Sequence, residues 1–288
     1  MSDLVYHVDG DLVPREAACV SVEDRGFMYG DAAFETLRAY GGSLFAWDAH
    51  YDRLQETCER LGMPEAVPHD LHDRVRETLS ANGFSNAYVR VSVTRGVQPG
   101  KLTPGPDVDP TVVVVTRRLP RGGIDGDPVW DTPARVETVE TRSVPSAAIP
   151  STVKTHNYLN GILARLELDR ESEEALMLDA AGHVTEGATS NLFFVEDGTL
   201  KTPRPEGDLL PGVTRSTVLD VAREEAFPVE EGRYEPETVR SADEAFLTNT
   251  TWEVRPVSRL DGTCLDTGPI TRLLARLFDE RVEATHYG

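Results

Sequence analysis

A single lysine stands in a stretch whose residue types suggest chemistry, PSTVKTHNYLN at residues 150–160. The chain has 29 lysines and arginines together, but its only lysines are Lys101, Lys154 and Lys201. A lysine amine can lose its proton and attack a carbonyl carbon to form a Schiff base, which a guanidinium cannot do. Lys101 and Lys201 lie in loops rich in Pro and Gly, whereas Lys154 precedes a predicted helix. Two interpretations follow for Lys154, a nucleophilic amine or an ordinary surface lysine.

A predicted helix at residues 212–226 begins directly after a Pro-Gly pair. Backbone N–H groups at a helix N-terminus have no partner within the helix and are suited to bind phosphate, and the hydroxyl of Thr214 adds a donor there. Arg53, on a predicted helix at 47–62, would add a charged contact. Each feature also has an ordinary interpretation, an N-cap for the threonine and a solvated helix face for the arginine.

Glu186 lies among small residues in TEGATSNLFF at 185–194. An isolated glutamate in such a position is usually on the surface, but a carboxylate that faces a basic ring nitrogen favours its protonated form. The sequence contains no GxxxxGK[ST], no GxSxG and no HExxH. A P-loop, a serine nucleophile elbow and a zinc-protease helix are therefore not expected.

The elements that must position these residues are helices and strands mixed without a regular βαβ rhythm, which predicts an α+β fold. Helices are predicted at 47–62, 70–82, 157–170, 212–226 and 270–284, a hairpin at 4–13, and strands at 87–96, 111–116, 174–179, 191–195 and 243–249. Residues 117–128 contain two prolines and three glycines without periodicity, which predicts a linker. The predicted domains are 1–116 and 129–288.

The net charge of −20 argues against nucleic acid and anionic membranes as partners, since both are polyanions. Acidic residues are spread along the whole chain and arginine replaces lysine almost everywhere, which favours a salty cytoplasm over a merely acidic protein. No apolar run is long enough to span a bilayer, and the first residues do not resemble a signal peptide. Three cysteines far apart predict neither a metal site nor a disulfide framework.

Six stretches occur in a fixed order along the chain: DRGFMYGDAAFETLRAYGG, HYDRL, KTHNYLN, EGATSNLFF, LLPGVTRS and FLTNTTWEVRPV. Together they resemble the class IV pyridoxal-phosphate enzymes, the fold-type IV family of branched-chain aminotransferases, D-amino-acid aminotransferases and aminodeoxychorismate lyases. The resemblance covers about residues 20 to 260. It implies a two-domain fold that holds pyridoxal 5′-phosphate in the cleft between the domains, and it implies a homodimer.

The resemblance also implies roles for individual residues. Lys154 resembles the lysine that forms a Schiff base with the cofactor and then moves the substrate proton, and Glu186 resembles the carboxylate paired with the pyridine nitrogen. Tyr158 resembles the tyrosine that hydrogen-bonds the cofactor's phenolate oxygen. The remaining implied residues are cofactor contacts at Arg53, Asn191, Val213, Thr214 and Thr250, and substrate contacts at Tyr29, Arg38, Tyr88, Arg90 and Thr251.

Two activities remain open within this family. NYLN after the lysine favours an aminotransferase, which passes the amino group of a branched-chain L-amino acid or a D-amino acid to a 2-oxo acid such as 2-oxoglutarate. VTRG at 93–96, Thr36 and TNT at 248–250 lean toward 4-amino-4-deoxychorismate lyase, which releases pyruvate and 4-aminobenzoate. The complete set of implied catalytic residues argues against a non-catalytic cofactor-binding protein. We predict the aminotransferase, with the lyase as the alternative.

Overall fold

The structure, a computed structural model, describes residues 4–121 and 130–288. The chain divides into two compact units. The described part of the first unit comprises residues 4–121, Val153–Asn157 and Thr285–Gly288, and that of the second comprises residues 130–152 and 158–284. Both units mix helices and strands, so the predicted α+β class is confirmed. Of the predicted linker 117–128, residues 122–128 lie outside the described residues.

The first unit is built on a six-stranded sheet in the order β2-β1-β6-β5-β3-β4, in which every neighbouring pair is antiparallel. Its elements are β1 (Val5–Val8), β2 (Asp11–Pro14), α1 (Arg25–Tyr29), β3 (Ala32–Tyr40), β4 (Ser43–Leu44), α2 (Trp47–Arg60), α3 (Leu71–Ala81), β5 (Ala87–Thr94) and β6 (Val112–Arg118).

Strand β5 lies within the predicted strand at 87–96, and its side chains alternate between two faces of the sheet. Val89, Val91 and Val93 are buried in one core with the apolar faces of α2 and α3. The opposite face of β5 is only partly exposed to solvent, because Tyr88 and Arg90 are half-buried there. A polar strand face that is partly shielded from water is a place where a ligand can be bound.

Strand β3 was not predicted from the sequence. Eight of its nine residues are buried, so it shows no contrast between a wet and a dry face. Ala33, Leu37 and Ala39 belong to the core that also contains residues of α2 and α3. Since side chains alternate along a strand, Phe34 and Thr36 lie on the opposite face.

The second unit is built on a nine-stranded sheet in the order β12-β11-β10-β13-β14-β7-β8-β9, with β15 paired to β14. The β11–β12, β14–β7 and β7–β8 pairs are parallel. Its elements are β7 (Ala134–Arg142), α4 (Leu159–Leu166), β8 (Glu174–Leu178), β9 (Val184–Gly187), β10 (Asn191–Glu196), β11 (Thr199–Pro203), α5 (Val213–Glu224), β12 (Val229–Gly232), α6 (Pro236–Arg240), β13 (Glu244–Asn249), β14 (Glu253–Leu260), β15 (Thr263–Cys264) and α7 (Pro269–His286).

The structure differs from the sequence-based prediction for the segments that contain Lys154 and Glu186. The segment Val153–Asn157, which the sequence-based boundaries assign to 129–288, groups with the first unit. It does so because it pairs with β3, through a bridge between Ala33 and Thr155. Strand β9 was not among the predicted strands, and Glu186 lies on it.

Candidate active site

The backbone of Lys154 is held by hydrogen bonds at both its N–H and its C=O. Its carbonyl accepts a hydrogen bond from the N–H of Phe34 on β3, with 3.0 Å between the atoms. Its own N–H donates to the hydroxyl of Thr57 on α2, at 3.2 Å. His156 N–H adds a bond to the carbonyl of Ala32, at 3.0 Å. The lysine therefore projects from a fixed piece of chain, not from a mobile surface loop.

An aromatic ring lies beside the amine of Lys154. The Nζ atom is 4.6 Å from the centre of the Phe34 ring. The Cζ atom of Arg90 lies 3.8 Å from the centre of the same ring, and the His156 ring meets it edge-on at 5.6 Å between centres. Cations over an aromatic face are stabilised by the ring's negative face. Phe34 and His156 were not predicted from the sequence as site residues.

The polar face of β5 lies next to Phe34. In the β3–β5 register Phe34 is opposite Ser92, and Thr36 is opposite Arg90. The Nε2 atom of His156 lies 3.2 Å from the Ser92 hydroxyl. Burial, with a further contribution from the charge of Arg90, lowers the pKa of His156 to about 4. His156 is consequently neutral at physiological pH and can hydrogen-bond Ser92 without adding charge.

The other predicted substrate residues of the first unit have contacts of their own. Tyr88 is half-buried on β5, opposite Arg38 in the register. The buried guanidinium of Arg38 donates to the carbonyl of Pro120 at 2.6 Å. Tyr29, at the end of α1, is half-buried and lies under the guanidinium of Arg25, 5.0 Å from its Cζ. The structure thus gives Arg38 a structural contact that the sequence did not predict.

Arg53 on α2 is fixed by a buried carboxylate. Its Nε and Nη2 atoms donate to the two oxygens of Glu35, at 2.6 and 2.8 Å. The Nδ1 atom of His50 lies 2.7 Å from the second of these oxygens. Burial would raise the pKa of Glu35, but the charge of Arg53 and the hydrogen bonds from His50 and Arg53 lower it to about 2. Glu35 therefore stays ionised, and neither Glu35 nor His50 was predicted as part of the site.

In the second unit Asn191 connects three pieces of chain. Its Nδ2 atom donates to Glu186 Oε2 at 3.1 Å and to the carbonyl of Leu210 at 2.8 Å. A Cβ atom at Gly212 would lie 2.2 Å from Asn191 Oδ1, so glycine is required where the chain enters α5. The predicted residues Glu186 and Asn191 are thus brought together beside the N-terminus of this helix.

Helix α5 begins without a side-chain cap. Gly212 is its N-cap residue and offers no side chain to the first N–H groups. The amides of Val213 and Thr214 have no acceptor within the helix, and the Thr214 side chain is buried beside them. Uncapped amides together with the helix dipole attract an anion. The predicted phosphate position is therefore chemically suited to a phosphate group.

Asn249 organises the turn between β13 and β14. Its Oδ1 accepts hydrogen bonds from the N–H and hydroxyl of Thr251, both at 3.0 Å, and from the N–H of Trp252 at 2.7 Å. Its Nδ2 donates to the carbonyl of Thr189 at 3.2 Å. Thr250 is held within this turn. The Asn249 contacts were missed from the sequence, although an asparagine at a strand end is a common turn signal.

Tyr158 stands at the start of α4, where its carbonyl accepts a hydrogen bond from the N–H of Ile162. Of the predicted residues, Lys154, Arg53, Tyr29, Arg38, Tyr88 and Arg90 are in the first unit, and Tyr158, Glu186, Asn191, Val213, Thr214, Thr250 and Thr251 are in the second. Among the residues described, no group of three or more His, Cys, Asp or Glu side chains is placed to hold a metal ion. Within the same residues no helix is long and apolar enough to cross a membrane.

Two solved structures share the fold over nearly the whole chain. The branched-chain aminotransferase of the thermophilic archaeon Thermoproteus uzoniensis, solved with norvaline, is 31% identical with a TM-score of 0.88, over 98% of this chain and 95% of that one. The 4-amino-4-deoxychorismate lyase of Pseudomonas aeruginosa is 30% identical with a TM-score of 0.80, over 97% of this chain and 98% of that one. The fold is therefore the fold-type IV arrangement.

Sequence comparison leads to the same family. The chain is 36% identical over 280 residues to a Methanocaldococcus jannaschii protein provisionally named a branched-chain-amino-acid aminotransferase, with 95% of each chain covered. It is 31% identical over 287 residues to a D-alanine aminotransferase of Listeria monocytogenes, over 96% of this chain and 95% of the relative. The family model for amino-transferase class IV matches residues 32–260. With this match over most of its length, the chain belongs to the class IV aminotransferase family.

Proposed function

We propose that this protein is a pyridoxal-phosphate-dependent aminotransferase, which moves an amino group between an amino acid and a 2-oxo acid such as 2-oxoglutarate. The observation that carries the proposal is the placement of Lys154. Its backbone is hydrogen-bonded to Phe34 and Thr57, and its amine lies beside the Phe34 ring. The chain that holds this lysine belongs to the class IV family. Schiff-base chemistry requires a primary amine, and the fixed backbone of Lys154 limits where this amine can lie.

The residues present fit pyridoxal 5′-phosphate. The uncapped start of α5 suits a phosphate dianion, and the glycine at its N-cap allows Asn191 to pack against the first turn of the helix. The Glu186 carboxylate is oriented by Asn191 and suits a protonated ring nitrogen. We infer phosphate contacts from Val213, Thr214, Thr250 and Arg53, a ring-nitrogen contact from Glu186, and a phenolate-oxygen contact from Tyr158.

When bound, the cofactor supplies an aldehyde that receives the amino group and a ring that delocalises the electron pair left on the substrate's α-carbon. Nζ of Lys154 would take the proton from that carbon and deliver it to the C4′ carbon of the cofactor, and in the second half of the transfer it would move a proton in the opposite direction. Glu186 holds a proton at the ring nitrogen, and Asn191 keeps its carboxylate in place. Phe34, 4.6 Å from Nζ, excludes water from one side of the amine.

Two substrate classes are supported, branched-chain L-amino acids and D-amino acids. They are supported by one relative named a branched-chain-amino-acid aminotransferase and one named a D-alanine aminotransferase. In this chain we infer that Tyr29, Arg38, Tyr88, Arg90 and Thr251 line the substrate pocket. The test supplies L-leucine, L-valine or D-alanine with 2-oxoglutarate and measures glutamate. Glutamate from none of the three, with a correctly folded cofactor-loaded protein, contradicts the proposed substrate classes.

The lyase is the second candidate. Thr36, which leans toward the lyase, lies opposite Arg90 in the β3–β5 register, on the same sheet face as Phe34. The solved lyase of P. aeruginosa is about as similar in sequence as the aminotransferase structure, but its fold matches less closely. Incubation with aminodeoxychorismate distinguishes the two. Pyruvate and 4-aminobenzoate from this compound, with no glutamate in the transfer assay, would establish the lyase.

We also propose a homodimer. One face of α4 carries Leu159, Ile162, Leu163 and Leu166, each between 47% and 75% exposed. Four large apolar side chains at helical spacing on one exposed face are typical of an interface. We expect light scattering to give twice the 31.7 kDa chain mass, and the double variant Leu159→Glu, Leu166→Glu to give the mass of one chain. Leu102→Glu, at an exposed leucine outside this helix, is the control.

A salty cytoplasm is the compartment that the composition supports. Acidic residues number 49 against 29 lysines and arginines. All three cysteines are free thiols, as is usual in a reducing compartment.

A further inference from the structure

Glu35 is a buried carboxylate to which the proposed reaction gives no role. Its side chain is only 1% exposed, on the face of β3 that shares a core with α2. An ionised carboxylate in such a position is costly unless charged or strongly polar donors surround it. Two hydrogen bonds from Arg53 and one from His50 provide those donors. Because burial of the ionised Glu35 carboxylate is unfavourable, we look for a role of this residue other than packing.

His50 completes the cluster as a neutral donor. It is 2% exposed, and burial lowers its pKa although Glu35 acts in the opposite direction. With its Nδ1 atom 2.7 Å from Glu35 Oε2, the neutral ring carries its proton on Nδ1 and donates it to the carboxylate. Glu35 therefore receives three hydrogen bonds on two oxygens and cannot rotate.

The two hydrogen bonds from Arg53 to Glu35 fix the orientation of the guanidinium. A guanidinium is planar, and two parallel bonds to one carboxylate fix both its position and its plane. Arg53 also lies one helical turn before Thr57, whose hydroxyl accepts from the N–H of Lys154. One buried face of α2 thus holds the arginine and the backbone of the lysine in fixed relation within the first unit.

We propose that Glu35 and His50 are positioning residues, which hold the Arg53 guanidinium in the orientation that binds the cofactor phosphate. The inference rests on the proposed function. It goes beyond that function because neither residue is among the inferred cofactor contacts. Their effect is exerted through Arg53 and is limited to the phosphate group.

Charge and orientation make opposite predictions for Glu35. If only charge mattered, removing a negative group next to a phosphate-binding cation would strengthen phosphate binding. If orientation matters, Glu35→Gln weakens it, because one of the two acceptor oxygens becomes an NH2 group, which cannot accept the bond from Nε or Nη2. Tighter phosphate binding by Glu35→Gln would therefore indicate a charge effect, and weaker binding would indicate an orientation effect.

The experiment measures the dissociation constants of pyridoxal 5′-phosphate and of pyridoxal, which lacks the phosphate, with the cofactor-free full chain. For Glu35→Gln we expect affinity for pyridoxal 5′-phosphate to fall about tenfold or more, as expected for loss of a charge-assisted hydrogen bond. Affinity for pyridoxal should stay unchanged. Glu56→Gln on the same helix removes an exposed charge and is the matched control.

Two results would overturn the proposal: tighter binding of pyridoxal 5′-phosphate by Glu35→Gln, or an equal loss for both compounds. Should the wild-type chain bind neither compound, the proposed function itself fails, which is a different outcome. If Glu35→Gln does not fold, His50 provides the second test. His50→Asn keeps a donor near the Nδ1 position and should bind pyridoxal 5′-phosphate like wild type, whereas His50→Leu should bind it more weakly. Equal affinity in these two variants would also overturn the proposal.

Discussion

At the scale of single residues, Lys154 combines a fixed backbone with an amine beside the ring of Phe34. We expect Lys154→Ala and Lys154→Arg to lose transfer activity by at least roughly a thousandfold, since neither has an amine that can form the Schiff base. Neither variant should develop the visible absorption band that wild type gains with pyridoxal 5′-phosphate. Lys154→Arg is the sharper test because it keeps a cation near Phe34. A persisting band in that variant would place the anchor at another residue.

His156 gives a prediction on pH. Burial and the charge of Arg90 lower its pKa to about 4, from 6.5 in the unfolded chain. Between these values the unfolded chain binds a proton that the folded chain does not. The stability contributed by neutral His156 is therefore full above about pH 6.5 and is lost as the pH falls toward 4. We expect His156→Gln to show a smaller fall in Tm across this range than wild type.

The control for that measurement is His72→Gln, at a half-exposed histidine of α3. Its Tm should follow the wild-type pH curve. The prediction would be wrong if His156→Gln also followed that curve, because another group would then account for the pH dependence.

At the scale of elements, the start of α5 depends on one glycine. An alanine Cβ at position 212 would lie 2.2 Å from Asn191 Oδ1, so either Asn191 or the first turn of the helix must move. We expect Gly212→Ala to weaken binding of pyridoxal 5′-phosphate and to lower stability by about 1–3 kcal/mol, the usual cost of a forced shift in a packed site. Gly100→Ala, where a Cβ would meet nothing within 4 Å, is the control. Unchanged cofactor affinity in Gly212→Ala would contradict the proposed phosphate position.

Elements with a clear period could be predicted from the sequence, and buried or irregular ones could not. Helices α2 and α3 and strand β5 lie where their patterns predict them. Strand β3 was missed because nearly all of it is buried. Helix α4 ends at Leu166, not at residue 170. The side chain of Glu167, its C-cap residue, accepts hydrogen bonds from two N–H groups of β7, a long-range contact that no local pattern indicates.

The contacts within the candidate site could not be predicted from the sequence either, because they join residues far apart along the chain. Lys154 and Glu186 could be suggested from residue type and from resemblance to a family. The partners that hold the site, Glu35 with Arg53 and Phe34 with Lys154, are 18 and 120 positions apart in the numbering. No local period encodes such pairs. The packing of α2 against β3 brings the first pair together, and the bridge between Ala33 and Thr155 brings the second together.

At the scale of the whole molecule, the predicted site residues are distributed over both compact units. The first unit contains the predicted amine and one phosphate contact, and the second contains the predicted ring-nitrogen and helix-terminus contacts. Neither unit has the full set by itself. Activity should consequently require the intact chain, since separate units would each lack half of the predicted chemistry.

The net charge of −20 gives the prediction that concerns the chain as a whole. Repulsion among 49 acidic residues opposes the compact state, and about 1 M salt shortens the screening length to roughly 3 Å, which removes most of this repulsion. We expect Tm to rise and transfer activity to hold or increase as potassium chloride is raised to molar concentration. Glycine betaine at the same osmolality is the control, because it is excluded from protein surfaces without screening charge. A sharp loss of activity in potassium chloride, or an equal rise in Tm with betaine, would remove charge screening as the explanation and leave the assignment of the chemistry unchanged.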